Sequence, residues 1–132
     1  VNLKDFNTLY NYKYDPDGRD LWRVIKPVEE VYRGDCEDYA LSVLYYVVCK
    51  ESWLKFWCML FTFSAEICGC KTEAGGHAVL RVGNMYIDNW TKEWVDRAHM
   101  ESLGHKFWSW NYTILPTTVG IKMLLGKRKG NQ

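Results

Sequence analysis

Three residues in this chain have the types and order of a nucleophilic site: Cys36, His77 and Asp88. Cys36 lies in Gly34-Asp35-Cys36-Glu37-Asp38-Tyr39-Ala40, which reads as a tight loop entering a helix. Gly34 can take the backbone of a sharp turn at little cost. Asp35 is a good N-cap, and Asp38 three positions on can close a capping box, with Asp in place of the usual Glu. A thiol at a helix start faces unpaired backbone N–H groups and the positive end of the helix dipole, and both favour thiolate. His77 precedes an alternating, strand-like run, Ala78-Val79-Leu80-Arg81-Val82, and a Gly83-Asn84 turn leads to Tyr86-Ile87-Asp88-Asn89-Trp90. The separation of His77 and Asp88 suits adjacent antiparallel strands joined by a short turn. Nucleophile, base and orienter thus occur in that chain order.

The elements that must position these residues follow from periodicity. A helix is expected from about Cys36 to Lys50, with Ala40, Leu41, Val43, Leu44, Val47 and Val48 giving it a wide apolar face. Before it come a short helical or irregular segment over residues 1–20, a turn at Asp15-Pro16-Asp17-Gly18, and a short helix over Pro27–Tyr32 with proline in its first turn. After it, the aromatic-rich run Trp53–Phe63 suits a buried strand, with a helix left open by the pattern, and residues 64–76 a loop. Ala78–Val82, Met85–Asn89 and Phe107–Leu115 read as strands, and Thr91–Leu103 as a short helix or excursion. Helices first, then consecutive antiparallel strands, gives an α+β domain with one helix packed on a sheet.

Composition narrows the function classes. The 132 residues are 48% hydrophobic and 16% aromatic, enough for one domain to bury a core without disulfides or metal. A net charge of +1 argues against bulk electrostatic capture of nucleic acid or anionic membrane. The apolar run over residues 56–63 is too short to span a bilayer. Five cysteines is an odd number, Cys68-Gly69-Cys70 lacks zinc-motif spacing, and free thiols in a reducing, cytoplasmic setting are expected. No signal peptide is visible. Cys49 and Cys58 read as packed thiols, and His99 and His105 as surface residues.

These motifs resemble the bacterial transglutaminase-like cysteine peptidases of the papain-like/transglutaminase superfamily. The matching elements are Asp20-Leu21-Trp22, Pro27, Gly34 to Ala40, Gly76-His77-Ala78-Val79-Leu80 and Ile87-Asp88-Asn89. The resemblance implies a papain-like α+β fold, a central helix bearing the cysteine packed on an antiparallel sheet bearing histidine and aspartate. It would occupy residues 1–126 as a single domain, with 127–132 a flexible basic tail. It implies Cys36 as nucleophile, His77 as base and Asp88 as orienter. The Cys36 backbone N–H and Trp22 are the oxyanion-hole candidates. No cofactor is required, although some relatives bind calcium through carboxylates flanking the cysteine, here Asp35 and Glu37. The implied activity is hydrolysis of a peptide or amide bond in a protein or peptide substrate, by a monomer of bacterial or bacteriophage origin. Transglutaminase-type acyl transfer, a peptidoglycan amidase and a non-catalytic binding module on the same fold are the alternatives.

Overall fold

The computed structural model describes residues 1–13, 22–73, 75–107 and 113–129. The chain is α+β. It opens with α1 (Leu3–Leu9), which Asn2 caps by accepting the Asp5 N–H at 2.8 Å, and β1 (Tyr10–Tyr12). Strand β2 (Tyr32–Gly34) pairs in parallel with β1 and delivers the chain to α2 (Cys36–Ser42). Both bonds of the expected Asp35–Asp38 capping box are present. Beyond Ser42 the helix widens into a π-helical stretch, Val43–Val48, where Cys49 N donates to Leu44 O. This turn keeps Val43, Leu44 and Tyr46 all buried.

The segment before β2 differs from expectation. Val28 and Val31 exchange backbone hydrogen bonds around Glu29 and Glu30, whose φ values are 52° and 64°. Paired positive φ is the geometry of a tight hairpin turn, so Pro27–Tyr32 is not a helix. The expected turn at Asp15 to Gly18 lies outside the described residues.

Residues Trp53–Phe61 form a helix, α3, rather than a strand; Ser52 caps it, accepting the Lys55 N–H at 3.2 Å. Its fully buried residues, Phe56 and Leu60, stand four apart, a helical spacing that the surrounding aromatics disguise. The same period turns Cys58 outward, so this thiol is exposed and not packed. The expected loop over 64–76 is mostly a strand. Here β3 (Ala65–Thr72) pairs along its whole length with β4 (Gly75–Val82), and β5 (Met85–Ile87) follows. Helix α4 (Arg97–Ser102) covers the excursion, and the expected strand over 107–115 is seen at its two ends, as β6 (Lys106–Phe107) and β7 (Thr113–Ile114). The sheet is antiparallel, in the order β5-β4-β3-β6, with β7 also on β3. Helix α5 (Pro116–Lys129) continues through residues expected to belong to a flexible tail.

The register sorts the sheet into two faces. Ile67 opposite Leu80, and Gly69 opposite Ala78, face the main core with Ile87. That core gathers Phe6, Tyr39, Leu41, Leu44, Phe56 and Leu60, all 0–1% exposed, and each such Leu, Ile or Phe contributes roughly 1.5–3 kcal/mol. Rings of Phe6, Tyr10, Tyr32 and Tyr39 meet at centroid distances of 4.8–6.1 Å and lock α1 and β2 onto α2. Cys70 opposite His77, and Cys68 opposite Val79, lie on the other face. There the two cysteines and Val79 join Tyr86, Val95 and Met100 in a smaller core. Among the described residues, no helix is long and apolar enough to cross a membrane.

Candidate functional site

Cys36 is the first residue of α2, and its approach is tightly held. Gly34 is extended strand, and its smallness matters more than its flexibility. A Cβ there would lie 2.7 Å from Asp38 Cβ and 2.9 Å from Ile25 Cδ1. Asp38 is fully buried, accepts the Arg23 N–H at 3.1 Å and the Asp35 N–H at 3.4 Å, and pairs with the Arg23 guanidinium. The Tyr10 hydroxyl donates to Gly34 O at 2.8 Å. One buried phenol therefore ties β1 to the loop before Cys36.

The thiol environment departs from the helix-start expectation. Burial pushes the Cys36 pKa well above the ordinary thiol value, the Glu37 carboxylate pushes it further, and Asp35 adds to this. The Ala78 backbone N–H acts in the opposite direction. The thiol itself donates to Glu37 Oε2 at 3.3 Å. Helix α2 thus packs on β4, the strand that carries His77, with the Cys36 thiol proton turned to Glu37.

His77 and Asp88 are brought together. His77 is 8% exposed, on β4, and its Nε2 lies 2.8 Å from Oδ2 of Asp88, the residue just past β5. The Trp90 ring stacks on the imidazole at 4.0 Å and 16°. Asp88 Oδ1 accepts the backbone N–H groups of Trp90 at 3.1 Å and Thr91 at 2.7 Å. Burial alone would raise the Asp88 pKa. The hydrogen bonds from His77 and Thr91, the His77 charge and the His105 hydrogen bond outweigh it and hold the carboxyl well below its usual range.

His105, expected at the surface, is 2% exposed, and its Nε2 lies 2.7 Å from the same Asp88 Oδ2. The sequence carries one usable signal for it, a place in the same alternation as Phe107, whose strand β6 sits beside Cys70 on β3. Trp22 is buried in the main core with Lys122 Nζ 5.0 Å above its ring, a packing environment beside its expected oxyanion role.

Two metal readings can be tested against these residues. His77, Asp88 and His105 place one ligand atom each within 4.8 Å of one another. Both ring nitrogens, however, sit at 2.7–2.8 Å from one oxygen, a hydrogen-bond spacing. A metal-bound histidine also usually gives its other N–H to an acceptor, whereas His105 Nδ1 is buried with no partner among the described residues. The cluster is built as donors on a carboxylate. For calcium, Asp35 is engaged in the cap and Glu37 accepts the thiol, and about six oxygen ligands are needed. The further carboxylates Asp15, Asp17 and Asp20 lie outside the described residues.

No protein-family model, no curated protein and no solved structure matches the chain.

Proposed function

We propose that the chain is a thiol hydrolase of papain-like or transglutaminase-like type, acting on a peptide or amide bond through Cys36, His77 and Asp88. The observation that carries this reading is the His77–Asp88 pair, buried behind Trp90, with His77 on β4, the strand against which α2 packs. With Nε2 donating to Asp88, His77 keeps a lone pair on Nδ1, where a base must have one. The thiol gives its proton to His77, the sulfur bonds to the carbonyl carbon, and the C–N bond breaks as His77 protonates the leaving amine. Water then cleaves the thioester, releasing the acid and restoring the thiol. The Cys36 backbone N–H, at the helix start, is one donor to the developing oxyanion.

Brief, substoichiometric iodoacetamide treatment across pH 5 to 9, with peptide mapping, tests the reading. Cys36 should alkylate ahead of the exposed Cys58 and below the pH of an ordinary thiol, and His77→Ala should abolish that lead. Alkylation of Cys58 alone would overturn it. One observation favours a second reading, a non-catalytic binding module: the thiol rests on Glu37 rather than on an imidazole. Full biological effect in Cys36→Ala would select that module.

A further inference from the structure

The buried carboxylate of Asp88 has more donors than a two-residue pair requires. A carboxylate offers about four lone-pair sites. Trp90 N–H and Thr91 N–H fill the two on Oδ1, and His77 fills one on Oδ2. The last would face a fully buried space, and His105 Nε2 fills it at 2.7 Å. We infer that His105 is a positioning residue that completes the acceptor shell of Asp88 and so fixes the Nε2–H form of His77. This rests on the thiol-hydrolase reading for its consequence, but not for its geometry.

With all four sites filled, the carboxylate can neither rotate nor take a proton without breaking a buried hydrogen bond. Asp88 must then accept from His77, and the His77 proton stays on Nε2, leaving Nδ1 free. His105 is itself held where it can do this. Its backbone N–H donates to Met100 O at 3.3 Å, and its ring stands edge-on to His77 at 5.4 Å and to Trp90 at 5.5 Å.

Two variants separate positioning from packing. His105→Leu keeps bulk and removes the donor; His105→Gln places an amide N–H close to where Nε2 stands. Nitrogen-15 NMR of the histidine rings should show His77 as the Nε2–H tautomer in the wild type and in His105→Gln, and as a tautomer mixture in His105→Leu. Cys36 alkylation at pH 7 should fall about tenfold in His105→Leu and return to within about threefold of wild type in His105→Gln. Wild-type tautomer and rate in His105→Leu would overturn the inference. So would an equal loss in both variants, which marks a packing role. If wild-type Cys36 proves inert, the hydrolase reading fails, and the His77 tautomer in the two variants still decides the role of His105.

Discussion

Replacing Asp88 with Asn should separate stability from chemistry, because the amide can satisfy every buried partner but only by reversing the histidines. In Asp88→Asn the oxygen still accepts from Trp90 and Thr91, as Oδ1 does now. The NH₂ group then occupies the Oδ2 place, facing His77 Nε2 and His105 Nε2. Donor against donor is untenable, so both rings must move their proton to Nδ1 and accept from the amide. For His105 this creates a buried N–H with no partner, since its Nδ1 has none now, at a cost of about 1–3 kcal/mol. The loss of a charge-assisted bond adds roughly 1 kcal/mol, so Asp88→Asn should lose about 2–4 kcal/mol. Asp88→Ala leaves two ring N–H and two backbone N–H groups without an acceptor and should lose at least as much, with unfolding at moderate urea. The Asn variant, folded, would carry a proton on His77 Nδ1, where a lone pair is needed. Its Cys36 alkylation rate at pH 7 should fall by about a hundredfold or more. Urea unfolding, histidine NMR and mapped alkylation give the three readouts. A folded Asp88→Asn protein that alkylates Cys36 at the wild-type rate would refute the reasoning.

Gly34→Ala should cost about 1–3 kcal/mol in urea unfolding, since its Cβ would strike Asp38 and Ile25 and open the capping box; an unchanged urea midpoint would contradict the close-approach role. Stability should also fall at both ends of the pH range. The Asp88 pKa is lowered on folding, so its contribution is present above the unfolded carboxyl value near pH 4 and is lost as pH falls below it. The Cys36, Cys68 and Cys70 thiols are raised by burial, the latter two to about 12. Their contribution holds below the unfolded thiol value near pH 8.5 and is lost as pH rises past it. Urea midpoints at pH 3, 7 and 9.5 check both limbs.

Local chemistry was legible where local rules decide. The capping box of α2 and the β4–β5 turn that joins His77 to Asp88 are short-range features, and both were readable from residue types and spacing. Trp53–Phe61 was not, because its aromatic residues favour strands and hide the helical pair Phe56 and Leu60. Strand β3 was hidden for the opposite reason. Gly69 is a weak strand former, and what makes Ala65–Thr72 a strand is eight paired positions on β4. His105 lay furthest from view. Its partner Asp88 follows β5, at the opposite end of the strand order β5-β4-β3-β6, and nothing local in the sequence joins the two.

The helix start holds the least expected balance in the molecule. Its dipole is worth about half a positive charge and favours a thiolate. Against it stand burial, the Glu37 carboxylate that accepts the thiol proton, and Asp35, the carboxylate that caps this helix. The residues that make the helix begin at Cys36 therefore oppose the ionised sulfur that such a helix start usually supports. Ionisation in that setting needs a positive partner rather than the dipole alone. In the proposed hydrolase that partner would be His77, whose imidazole Asp88 holds. The thiol must turn from Glu37 to the imidazole for this to happen, and its reactivity should then follow the Cys36–His77 pair as a unit, not the cysteine by itself.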